Sequence, residues 1–130
     1  MGEKTEIVRA LYEAFARRDT AGIAALFDPQ IEWIQMEGFP EGGRHIGPEA
    51  VLNGALAKFR VNWERWQAVV EEYLEAGDRV IALGYYTGTH KQTGRAMRAA
   101  FAHFYTVRDG RIVRFVQYTD TLKVAEAAVG

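Results

Sequence analysis

The sequence predicts an α+β domain in which a curved antiparallel sheet packs against helices, and three observations carry that prediction. Apolar residues recur at helical spacing in the first third of the chain. After Phe59 the period changes to two, and it stays two through four successive segments. Helices first and a meander afterwards is the order in which helices cover one face of an antiparallel sheet.

Each element follows from local chemistry. Ile7, Leu11, Ala14 and Phe15 form one stripe of a helix over residues 5–18. Asp19-Thr20 interrupts it, and Thr20 is the expected cap of a short second helix through Phe27. Asp28-Pro29 ends that helix, because the residue before proline is pushed out of the helical region. Residues 30–36 alternate Ile31-Trp33-Gln35 against Glu32-Ile34-Met36, a first strand, and residues 37–43 form a turn-rich loop. A third helix starts at Gly47-Pro48-Glu49, with proline in the first turn and an acid that favours the helix dipole. It buries Val51, Leu52, Ala55, Leu56 and Phe59. Strands over 66–75 and 79–90 are joined by Gly77-Asp78, and Lys91 to Gly94 turns the chain again. The last pair, 101–107 and 111–120, is joined by Arg108-Asp109-Gly110. No repeat or linker divides residues 1–130, which form one domain.

Composition removes several function classes. At 130 residues the chain buries roughly two-thirds of its unfolded surface and folds without staples. Sixteen basic and seventeen acidic residues leave a net charge of −1, no field to attract nucleic acid or anionic lipid. The absence of cysteine excludes disulfides and thiolate chemistry. The first residues are charged, with no apolar signal region and no run of membrane-spanning length. A soluble, cytoplasmic protein without nucleic-acid or membrane partners is expected.

Several phrases then carry a family resemblance. Glu13-Ala14-Phe15-Ala16-Arg17-Arg18-Asp19, followed by Ala24-Ala25-Leu26-Phe27-Asp28-Pro29, resembles the opening of SnoaL-like proteins. Gly43 to Val51 resembles their start of the third helix, and Asp109 to Phe115 with Tyr118-Thr119-Asp120-Thr121 their final strand. The superfamily includes ketosteroid isomerases, limonene epoxide hydrolases and the nuclear transport factor two domain. The resemblance implies a cone-shaped, cystatin-like fold. In it a bent sheet is closed by three helices of the N-terminal half around a hydrophobic cavity, often in dimers formed through the sheet. It implies no metal or other cofactor, and it makes Asp120 the counterpart of the acid/base aspartate of SnoaL-type polyketide cyclases. Similarity to the ketosteroid isomerases is weaker at the site. Trp33 and Ile34 stand where their base is expected, His103 where their oxyanion carboxylate is, and Leu11 at the helix tyrosine, with Tyr12 one residue out of phase.

The residues themselves propose a site. His103 shares a strand face with Phe101, Tyr105 and Val107, and Asp120 shares one with Val116 and Tyr118. If both faces lie on one side of the hairpin, an acid/base pair stands among aromatic rings. Asp120 would then be a base raised by desolvation, with His103 and Tyr118 stabilising an enolate. The alternatives are an Asp120 that caps a terminal helix turn and a His103 satisfied within the core. Trp33, Tyr105, Phe101, Phe59, His45 and Tyr12 are candidate ligand contacts, His45 at the cavity mouth. The three histidines lack metal-ligand spacing, and Gly42-Gly43 lacks that of a phosphate loop. Two functions fit: a cofactor-free isomerase or aldol cyclase acting on a hydrophobic, carbonyl-bearing ring molecule, or a non-catalytic module that binds such a ligand or dimerises. Ala102, Phe104, Phe115 and Gln117, on the opposite phase from His103, are the expected homodimer face.

Overall fold

Periodicity and elements agree along most of the chain. The computed structural model describes residues 2–129. Helices α1 (Glu3–Ala16) and α2 (Thr20–Leu26) lead into β1 (Phe27–Gln35) and β2 (Gly43–Ile46). A wide, π-wound turn of helix, Ala50–Leu56, runs directly into α3 (Ala57–Asn62). Strands β3 (Trp63–Ala76), β4 (Arg79–His90), β5 (Ala96–Arg108) and β6 (Arg111–Thr119) follow, then α4 (Thr121–Ala128). The six strands form one curved sheet in the order β2-β1-β6-β5-β4-β3. All pairs are antiparallel except β1 with β6, which the meander pattern did not foretell.

The helices hold to the sheet through a stripe displaced by about one residue from the expected one. Thr5, Val8, Leu11 and Ala14 are buried in α1, while Ile7, Tyr12 and Phe15 flank them. Buried Thr5 is satisfied by Glu75 at the end of β3, donating from its hydroxyl at 2.7 Å and its N–H at 3.1 Å. Asp19, rather than Thr20, caps α2 by accepting the Gly22 N–H at 2.9 Å. β1 begins three residues earlier than expected, since Phe27 already pairs with Ile112. The ladder then skips to Glu32 across Pro29, which has no N–H to donate. His45 lies in β2, opposite Trp33, rather than in a loop.

Irregularities bend the sheet. β3 and β4 slip register between Glu64 and Gln67 and again between Val70 and Glu72. Gly84 faces the second slip, where a Cβ would run into the Val69 carbonyl oxygen, so only glycine fits. Asp109 (φ 51°) and Gly110 (φ 75°) close the β5–β6 hairpin in the two-residue geometry that needs positive φ at both positions.

That hairpin contains the decisive departure. Its register runs Arg108 opposite Arg111 and Val107 opposite Ile112, but Thr106 opposite Arg114. Val113 is an extra residue in β6. Beyond this bulge every β6 side chain exchanges faces, and His103 stands opposite Gln117 instead of Val116. Phe115 and Gln117, expected on the outer face, are therefore 1% and 2% exposed and point inward. Tyr118 points outward, 52% exposed, with its ring edge on Phe104 at 5.5 Å.

Candidate functional site

Between the sheet's inner face and the helices lies a small cavity of about 40 Å³. Its floor is β5 and β6, with His103, Tyr105 and Phe115; α1 supplies Tyr12, β4 Tyr86 and β1 Trp33. His103 is 3% exposed, and its ring stacks on Phe101 at 3.8 Å, within 6° of parallel. Trp33 stacks on Phe115 at 3.8 Å, and its indole N–H donates to Gln35 Oε1 at 3.1 Å. Among the described residues no carboxylate lines this space.

His103 is held at both ring nitrogens. Tyr12 Oη lies 2.6 Å from Nδ1 and Tyr86 Oη 2.6 Å from Nε2. Tyr105 donates to the Tyr12 hydroxyl at 2.8 Å, and Gln117 Nε2 donates to the Tyr86 hydroxyl at 2.8 Å. Gln117 Oε1 in turn accepts the Met36 N–H at 3.2 Å. Burial holds the His103 pKa well below its ordinary value, so the imidazole is neutral near pH 7. Burial first, and neighbouring phenols second, push Tyr12 up, and burial does the same to Tyr105 and Tyr86, so all three keep their protons.

Counting those protons gives the site its chemistry. The bonds from Tyr12 to Nδ1 and from Tyr86 to Nε2 need one proton each. Three are present: two phenolic O–H and one imidazole N–H. In either tautomer one phenolic O–H is therefore left over. Its oxygen belongs to Tyr12 or Tyr86, both of which line the cavity. The arrangement leaves one neutral donor uncommitted, backed by a ring that can exchange tautomers.

Expected and observed site residues agree only in part. His103, Tyr12, Tyr105, Trp33 and Phe59 all line the cavity, and Phe101 backs His103. Tyr12, expected out of phase with the isomerase tyrosine, reaches His103 from α1. Asp120 and Tyr118 do not converge with it. Tyr118 is turned outward by the Val113 bulge. Asp120 is exposed and caps α4, accepting the Lys123 N–H at 3.2 Å. A carboxylate committed to a helix cap on the surface stands outside the apolar cavity that holds His103. Asp120→Ala should cost about 1 kcal/mol of stability in urea unfolding, the value of an N-cap, and leave ligand affinity unchanged. His45 also lies away from the cavity, its Nε2 2.9 Å from the Glu41 carbonyl oxygen.

Other contributors were absent from the expected set. Tyr86 and Gln117 complete the hydrogen-bond chain, and Trp66 forms part of the wall. The Trp66 indole N–H is buried without a partner among the described residues. Such orphan donors are rare in folded proteins. Trp66 stacks on Phe59 at 4.3 Å, within 6° of parallel, and with Leu56 and Phe15 the pair separates the cavity from an outer pocket of about 440 Å³. Among the described residues no three His, Cys, Asp or Glu side chains are grouped to hold a metal ion. No helix among them is long and apolar enough to cross a membrane.

A SnoaL-like domain model matches residues 8–115. The chain belongs to the SnoaL-like family. Among solved structures it is similar to an NTF2-like protein of Burkholderia thailandensis, with 35% identity, full coverage of both chains and a TM-score of 0.94. It is also similar to TerC, solved with polyporic acid, at 28% identity over 98% of each chain with a TM-score of 0.88. A putative SnoaL-like polyketide cyclase of Jannaschia, 19% identical over 98% of this chain and 93% of that one, shares the fold with a TM-score of 0.85. No curated protein matches the sequence. The fold family includes isomerases and polyketide cyclases, so membership fixes the architecture and leaves the activity to the site.

Proposed function

We propose that this SnoaL-like protein binds a hydrophobic, carbonyl-bearing ring molecule in its cone, with the surplus tyrosine O–H donating to the carbonyl. The observation that carries this reading is the proton count around His103: an apolar cavity holding one uncommitted donor and no carboxylate. Such a site orients a ligand by a single hydrogen bond and takes its affinity from apolar surface. A cavity of about 40 Å³ does not enclose a ring; an engineered cavity that takes benzene measures about 150 Å³. Binding therefore requires the Leu56, Phe59 and Trp66 wall to shift toward the outer pocket. The π-wound turn that carries Leu56 suits that movement, since such turns cluster at functional sites. The co-crystallisation of TerC with polyporic acid supports a ring-type occupant.

Isomerisation or aldol cyclisation by α-proton abstraction is the second reading. The surplus O–H would stabilise an enolate, but among the described residues that line the cavity His103 alone could take up a proton, and burial weakens it as a base. Binding is thus the better supported function. The test is calorimetric titration with 2-acetonaphthone and with 2-ethylnaphthalene, its counterpart without the carbonyl. The wild type should favour the ketone roughly tenfold, one hydrogen bond's worth, and Tyr12→Phe/Tyr86→Phe, which removes both hydroxyls that can hold the surplus proton, should shrink the preference, whereas either single substitution deletes one proton together with one bond and leaves a donor. Equal affinity for both compounds in the wild type would remove the proposed donor.

A further inference from the structure

The outer pocket carries a second chemistry. Arg18, Arg60 and Arg65 line it, and among the described residues no Asp or Glu does. Among the described residues these three arginines, like Arg79, Arg95, Arg98 and Arg111, pair with no carboxylate, whereas Arg9, Arg17, Arg44, Arg108 and Arg114 do. Three unneutralised guanidinium groups at one opening stand out in a chain of net charge −1. The backbone also presents two of them in a costly conformation. Arg18, just past α1, has φ 58°, and Arg65, in the first slip of β3, has φ 53°. Positive φ costs free energy in a residue with a Cβ and recurs at functional sites. Trp66, whose indole N–H has no partner, lies on the wall between this pocket and the inner cavity. Apart from the neutral Gln67 amide, every uncommitted polar side chain on the path inward is a donor, and among the described residues none carries negative charge.

We infer that the ligand is an organic anion, an aromatic or alicyclic carboxylate. Its ring and carbonyl occupy the inner cavity, and its carboxylate sits in the outer pocket against Arg18, Arg60 and Arg65, with an oxygen accepting the Trp66 N–H. The inference rests on the cavity reading above and adds the ligand's charge and direction of insertion. Guanidinium groups bind carboxylates through charge-assisted, paired hydrogen bonds, which a neutral ester or ketone cannot replace. An entrance of one sign also raises the local concentration of an oppositely charged ligand.

The test pairs 6-acetyl-2-naphthoate with 2-acetonaphthone, which has the same ring and carbonyl without the carboxylate. Wild-type protein should bind the acid at least tenfold more tightly by calorimetry at low salt, with the margin shrinking as salt is added. Arg60→Gln/Arg65→Gln should remove that margin and leave ketone affinity unchanged, and Trp66→Phe should weaken the acid more than the ketone. Equal binding of acid and ketone by the wild type, or an acid preference that survives the double substitution, overturns the inference while the inner-cavity reading stands. Acid and ketone affinities that both ignore Tyr12→Phe/Tyr86→Phe, with the acid preference intact, keep the inference and sink that reading. Failure of both compounds to bind removes both.

Discussion

Tyr86→Phe is expected to lower the unfolding free energy by about 2–4 kcal/mol, although it deletes a single oxygen atom. The ring remains and continues to pack on Phe101 at 4.7 Å and Trp66 at 4.9 Å, so no large cavity opens. What changes is the polar accounting. His103 Nε2 and Gln117 Nε2 both lose their partner inside an apolar core. A buried polar group left unpaired costs about 1–3 kcal/mol, about twice the net gain from making the bond. Tyr118→Phe is the matching control. Its hydroxyl belongs to a half-exposed side chain on the outer face, and its loss should fall within about 0.5 kcal/mol of neutral. Urea unfolding of both variants beside the wild type measures the difference. A Tyr86→Phe protein as stable as the control would show that the hydrogen-bond chain contributes nothing.

The second large effect concerns pH. The unfolded chain takes up a proton on His103 near pH 6.5, whereas the folded chain, with the ring buried, does so only at much lower pH. Between those values the unfolded state binds more protons. Stability is therefore complete above pH 6.5 and declines as pH falls, with a slope from this residue of up to about 1.4 kcal/mol per pH unit. Glu75 acts with the same sign in a lower window. The Thr5 hydrogen bonds hold its carboxyl below the ordinary range, so its contribution is lost only as pH falls through the carboxylate region. Between pH 6.5 and 5 the slope thus belongs chiefly to His103. His103→Phe should flatten it, because Tyr12 retains Tyr105 and Tyr86 retains Gln117 as partners. Unfolding free energies at half-unit pH steps decide the point, and identical slopes for the two proteins would refute it.

Most of the fold was legible in the sequence because each element rests on local chemistry. Strand β4 matches its expected span of residues 79–90, bounded by Gly77-Asp78 and by the Lys91 to Gly94 turn. The Asp109-Gly110 hairpin turn could be read from its two residues. What could not be read was a single inserted residue. Val113 has the β-branched side chain of an ordinary strand residue, and nothing in its identity marks a bulge. Yet that one residue moves Gln117 and Phe115 inward and Tyr118 outward. A hairpin without it would have placed His103 opposite Val116, and so on the Tyr118 face.

The site was legible to the same degree. His103 among aromatics was visible as strand alternation, and Tyr105 and Phe101 followed from the same period. Tyr86 and Gln117 belong to the site only through the β4–β5 and β5–β6 registers, which are long-range facts. Asp120 shows the converse. Its cap role is local and was readable in the following Thr121-Leu122-Lys123, whereas its acid/base role depended on a register the bulge abolishes.

The proposed ligand contact depends on His103 acting as a neutral relay between two tyrosines that leaves one O–H free for a ligand carbonyl. Nitrogen-15 NMR of the histidine ring, followed from pH 8 to pH 5, reads it directly. The His103 ring should keep one protonated and one unprotonated nitrogen across that range, and 2-acetonaphthone should shift its resonances. A His103 that becomes imidazolium near pH 6.5, or that does not respond to saturating ketone, would contradict it.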